Sequence, residues 1–333
     1  MIGHDIGESF EPDAAHAWAL DCNLRTRMAE SLEHVAGESR GALALDEAKF
    51  RVLTAALRGD RRFPPTTFAL YYDLVDAVVE DRLDDAECCF AAIVAEKPIG
   101  RALDYVALDD AQLGPGMAAR YGRMMDTDAA NPHRFFAPPA EQSAAFRPLL
   151  DESLSLMRRG CPRVHAEFME LVDQIVLSGG TNLANGEDFL AGSSFTLWGA
   201  LFLNPAASRT ALSLLETLAH EAAHSLLFGI QISGALVLNP DDERFASPLR
   251  VDLRPMDGVY HATFVSARMH FAMQELLASG LLKGEEAALA HEAAARDRGH
   301  FLEGLRTVKK HGRLSPAGEA VMAGAEAYMA RAA

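Results

Sequence analysis

The residues best suited to chemistry are His220 and His224, in the run His220-Glu221-Ala222-Ala223-His224. Four positions apart on a helix, their imidazoles project from one face with Cβ atoms about 5 to 6 Å apart, within reach of a single ion. Glu221 stands one step round the helix. In metallohydrolases a glutamate in that place takes a proton from water that the metal has already acidified. The pattern predicts a metalloenzyme, and a third ligand has to come from another element.

The usual protease solutions are missing. HExxHxxGxxH would need Gly at 227 and His at 230, where the chain has Leu227 and Ile230. A ligating glutamate further on would have to be Glu243, in the polar stretch NPDDERF, or the more distant Glu275. The best remaining candidate is His261, which follows RPMDGVY at the opening of a helix. In PLRVDLRP, Arg250, Asp252 and Arg254 alternate; such arginines suit bidentate carboxylate binding and surface ion pairs equally well.

The elements that must position these residues follow from apolar spacing. Leu212, Leu215, Leu218, Ala222 and Leu226 form one stripe of a helix, with Ser208 or Asn204 as its cap and Gly229 as its stop. Before it, FTLWGALFL (195–203) reads as a strand, whose edge could hold an extended peptide beside the site. After it come a Pro-rich loop over 239–258 and helices over 259–279, 285–310 and 316–331. The first half reads as helices over 14–38 and 45–58, continuing past Pro64-Pro65 over 68–94. A Gly/Pro/Asp/Asn-rich loop region (100–139), a helix over 141–159 and a segment ending in LVDQIVL, readable as a strand, complete the chain. The predicted fold class is α+β, mostly helical, with a helical region 1–139 and a metal-binding catalytic region 140–333 meeting near Pro139.

Composition narrows the function further. With 333 residues and 49% apolar content the chain can bury a core without disulfides. Cys22, Cys88, Cys89 and Cys161 make no Cys-x-x-Cys pair, which fits a reducing, cytoplasmic setting. The opening MIGHDIGESFEPD lacks the apolar core of a signal peptide, and no run of 18 apolar residues suggests a membrane span. A net charge of -16 repels phosphate backbones, so nucleic acid is not an expected partner. An amphipathic stripe serves an internal core and a dimer interface alike, so oligomeric state stays open.

From 195 to 273 the chain resembles the HExxH-motif proteins that accompany bacterial ribosomally made, modified peptides. The likeness lies in order as well as motif: an apolar strand ending in a Pro-containing turn, LLETLAHEAAH, a loop with PLRVDLRP, then MDGVYHATFVSAR. Members of that family are 2-oxoglutarate-dependent iron enzymes that hydroxylate side chains of a precursor peptide, typically at Cβ. The resemblance implies Fe(II) held by His220, His224 and His261, Arg250 and Arg254 as partners of a 2-oxoglutarate carboxylate, and Glu221 as an orienting group. A three-histidine site departs from the commoner two-histidine, one-carboxylate set, which Asp252 or Glu243 would restore. The alternative function is a zinc-dependent metallopeptidase with Glu221 as general base and His270, Tyr260 or an arginine stabilising the oxyanion. A third reading is a non-catalytic binding module, whose structural metal would need four protein ligands.

Overall fold

The structure is a computed structural model that describes residues 10–39, 46–127, 131–207, 210–250 and 252–332. Apolar spacing gives α1 (Ala14–Glu38) and α2 (Glu47–Leu57), the second opened by Asp46, whose carboxylate accepts from the Lys49 N–H. Leu45, where the sequence places the start of that helix, lies outside the described residues. Pro65 occupies the first turn of α3 (Pro65–Val79), where a missing N–H costs nothing. The pattern over 68–94 is interrupted at Asp81, which takes φ 57°, and resumes as α4 (Leu83–Ala95). Aspartate is among the few side chains that tolerate this left-handed turn.

The region 100–139, expected as loop, holds β1 (Asp104–Ala107), α5 (Asp110–Leu113), α6 (Met117–Met125) and β2 (His133–Phe136). Then come α7 (Ala140–Gly160), α8 (Pro162–Leu171), β3 (Gln174–Leu177), β4 (Gly179–Asn182), β5 (Ala191–Ser193) and β6 (Ala200–Leu203). Four helices close the chain: α9 (Ala211–Gln231), α10 (Met256–Ala278), α11 (Gly284–His311) and α12 (Pro316–Arg331). The fold is α+β and mostly helical, and among the described residues no helix is long and apolar enough to cross a membrane.

The four-stranded sheet has the order β1-β3-β6-β5, with β1, β3 and β6 parallel and β5 antiparallel; β2 and β4 form a separate antiparallel pair. The stretch 195–203 divides instead of forming one strand. Phe195–Leu197 is a turn of 3-10 helix, Gly199 at φ 86° redirects the chain, and β6 begins only at Ala200. All four β6 residues are buried, and neighbours pair with both sides of the strand. The expected edge for an extended peptide is therefore absent there.

The chain divides into two compact units. Ala17–Phe146 with Met169–Ala207 carries both sheets; Met1–His16, Arg147–Phe168 and Ser208–Ala333 make up a helical unit. Pro139, where the sequence suggests a boundary, falls inside the first, because β3 pairs with β1 and β6 with β3, drawing 169–207 to it. Buried ion pairs mark that unit: Arg25 bonds Asp21 (2.8 Å) and the carbonyls of Leu57 and Gly59, while Arg62 bonds Asp173 (2.7 Å).

In the helical unit α10 is buried along most of its length. Its Arg268 pairs with Glu167 and donates to the carbonyl of Phe10 (2.6 Å), whose ring stacks on Tyr328 with centroids 4.8 Å apart. Gly304 lets α11 approach α10 closely, since a Cβ there would collide with the Thr263 hydroxyl. Gly318 does the same for the chain at Leu236, and its carbonyl accepts the Tyr260 hydroxyl at 2.9 Å.

Candidate metal centre

Thr210 opens α9: its hydroxyl accepts from the Ser213 N–H at 3.1 Å, and the Ser213 hydroxyl faces the Thr210 N–H in return. Ser208 lies outside the described residues, and Asn204 stabilises the preceding turn by accepting from the Ala206 N–H. Gly229 is not the stop. It is buried within the helix, which runs on to Gln231. Leu215, Leu218, Ala222 and Leu226 are buried as the stripe predicts, and Leu212 is half-buried. The Gln231 side chain donates to Asp257 (3.1 Å), tying the end of α9 to the first turn of α10.

That antiparallel pairing brings together the three histidines singled out by the sequence. His224 is the middle ring: its Nδ1 lies 3.0 Å from His261 Nδ1 and its Nε2 lies 3.1 Å from His220 Nε2. Phe228, one turn beyond His224, stacks on it at 6.2 Å and tilts against His261 at 5.5 Å. Sequence reasoning missed this aromatic wall, although the spacing 220-224-228 carries the signal. It also missed Asp257, whose Oδ2 lies 3.9 Å from His261 Nε2, again at four-residue spacing.

His261 is 5% exposed, and its buried Nε2 has no hydrogen-bond partner, while His220 and His224 keep part of their surface in solvent. Burial, reinforced by His261, pushes His220 down to about 4. Burial and the two neighbouring rings push His224 well below the usual histidine range, and burial lowers His261 against the opposing pull of Asp257. Neutral imidazoles are the ligating form. Among the described residues no group of three or more His, Cys, Asp or Glu side chains already points at one centre. The reason is local: His224 turns a different nitrogen to each neighbour, and a metal takes only one nitrogen per ring. Three neutral rings on two packed helices, one with an orphaned buried nitrogen, nevertheless make a donor set that fits a first-row transition metal once that ring turns.

The other sequence candidates are engaged elsewhere. Glu243 pairs with Arg313 (2.7 Å) and accepts from Asn239 (2.8 Å). Glu275 lies fourteen residues past His261 on α10, about 21 Å along the axis. Asp252 sits between Arg250 and Arg254, 3.3 Å from each. The Tyr260 hydroxyl is spent on Gly318, and His270 Nδ1 meets the Tyr328 hydroxyl at 2.7 Å. Glu221 is 5% exposed, with Oε1 4.0 Å from His220 Nε2.

Of the two arginines, Arg254 is seen to lie against α10, the helix that carries His261. Its backbone pairs with Phe245, 2.8 Å in each direction, and its side chain lies along Gly258, one turn before His261. Arg250 is more exposed. No family model matches the chain, and no curated protein matches it.

Proposed function

We propose that this chain is a non-haem iron, 2-oxoglutarate-dependent oxygenase that hydroxylates a side chain, at Cβ, of a ribosomally made precursor peptide in the cytoplasm. The observation that carries the reading is the meeting of His220, His224 and His261, with His261 Nε2 buried and unpartnered. The resemblance over 195–273 supplies the reaction class. Iron(II) on three protein nitrogens keeps positions for 2-oxoglutarate and oxygen, and the balanced reaction yields succinate, carbon dioxide and one hydroxylated residue. The solvent-facing sides of His220 and His224 are where both substrates approach. Arg254, helped by Arg250, exchanges the Asp252 carboxylate for that of the cosubstrate, using the same fork geometry. Glu221 orients His220, a positioning role that needs no proton transfer.

The zinc peptidase remains the second reading, because Glu221 stands beside His220 as a general base would. It lacks support from the groups expected to stabilise an oxyanion, since Tyr260 and His270 are bonded elsewhere. Anaerobic protein loaded with Fe(II) and 2-oxoglutarate decides between them. The oxygenase shows the weak visible charge-transfer band of chelated iron, and His224→Ala abolishes it. Absence of the band in the parent, with zinc-dependent cleavage of a peptide, overturns the proposal.

A further inference from the structure

We propose that Glu216, Asp297 and His300, which do not yet converge on one point, close on a divalent cation to form a second site beside α11, where Arg296 already reaches Glu216 of α9, independent of the three-histidine cluster. Asp297 is a buried carboxyl group without a hydrogen-bond donor. Asp21, Glu167 and Asp173 are also buried, and each holds a guanidinium. Asp297 is 0% exposed, and neither of its carboxylate oxygens has a hydrogen-bond donor. The nearest cation, Arg296, is 3.6 Å from Oδ1, too far for a hydrogen bond, because its guanidinium is taken by Glu216.

A second atom points the same way. Nδ1 of His300, three residues on and so on the same face of α11, is also buried and unpartnered. The carboxyl group of Glu216 comes across from α9 to bond the same Arg296 Nη2 that stands 3.6 Å from Asp297 Oδ1, which places the two carboxyl groups on one guanidinium nitrogen. Asp-x-x-His on one helix with a carboxylate from a facing helix is a donor pattern that helical bundles use for metals. Two oxygens and one imidazole nitrogen suit Mn(II), Fe(II), Co(II) or Zn(II). Arg296, 51% exposed, offsets one of the two carboxylate charges and can stay on the outer oxygen of Glu216.

In the metal-free protein a proton stands in for the cation: burial, then the Glu216 charge, hold Asp297 up to about 8. Ion binding displaces that proton, so affinity rises with pH. Glu216 precedes His220 by one helical turn, about 6 Å of rise, so the two sites are neighbours with separate ligands.

The test counts ions. Chelator-stripped full chain is titrated with Mn(II), and the ions retained after desalting are measured by mass spectrometry for the parent, His220→Ala/His224→Ala, Asp297→Asn and His300→Gln. The expected result is two ions for the parent, one for the double histidine variant, and one for each α11 variant, whose second-site affinity falls at least about 100-fold. Asp297→Asn keeps the side-chain volume, and circular dichroism confirms its fold; His300→Gln serves as the check from a less buried position. A single parental ion that is lost on Asp297→Asn and on His300→Gln but kept in the double histidine variant still supports this site while sinking the histidine one. An α11 variant that retains every parental ion, or a parent that binds none or only an ion lost in the double histidine variant, overturns it.

Discussion

Replacing Asp297 by asparagine in metal-free protein should raise stability at alkaline pH and leave it unchanged in acid. In the unfolded chain an aspartate titrates near 3.9, whereas in the fold burial and Glu216 hold this one up to about 8. Between those values the native state binds more protons than the unfolded state, so stability falls as pH rises and levels off above about 8. A gap of about four units corresponds to about 5 kcal/mol at most. Relaxation and water entry soften the penalty of burying a carboxylate, so roughly half of this, 2 to 3 kcal/mol, is expected. Asparagine keeps the side-chain volume and carries no charge at any of these pH values. Urea denaturation with chelator at pH 5, 7 and 8.5 reads the effect as a variant-minus-parent difference that grows with pH. A difference that stays flat, or an asparagine variant less stable at pH 8.5, would refute the account of a buried, partnerless carboxyl.

Three further outcomes follow from the same geometry. Glu221→Gln should retain a large part of turnover in an oxygenase, whereas loss of nearly all activity would restore the peptidase; product analysis with 2-oxoglutarate decides. With His220 held at about 4 and the other two rings also lowered by burial, proton competition is absent near neutrality, and Co(II) affinity should change less than about twofold between pH 7.5 and 6. Three ordinary histidines would lose well over tenfold across that range, a result visible by absorbance titration. Arg268→Met strands Glu167 without its guanidinium and should cost about 3 to 5 kcal/mol in urea denaturation; a loss under 1 kcal/mol would mean that water reaches Glu167.

Long apolar periods are the part of this fold that the residues announce on their own. The helices α1 and α12 run over the spans their spacing predicts, and α10 and α11 match to within a few positions, because several turns repeat one signal. Four-residue strands such as β1 and β2 contain too few alternations to stand out from a Gly- and Pro-rich background. Gly199 hides the division of 195–203, since the positive φ it adopts leaves no mark on hydropathy. At the histidine cluster, spacing identifies His220 and His224, and elimination leads to His261. The Glu216 and Asp297 carboxyls are invisible at that level. They belong to helices about eighty residues apart, α9 and α11, which both pack on α10, and only the folded chain brings Arg296 to Glu216.

Phe10 gives this architecture a timetable. Its carbonyl is claimed by Arg268, 258 positions later, and its ring by Tyr328 later still. At roughly 5 to 20 residues per second, a ribosome needs about 13 to 50 s to deliver Arg268 after Phe10 has been made. Throughout that interval the aromatic ring lacks its native neighbours Phe264, Phe271 and Tyr328 on α10 and α12. Packing of the helical unit around Phe10 therefore waits on residues made long after it, so that a residue made early is among the last to find its place.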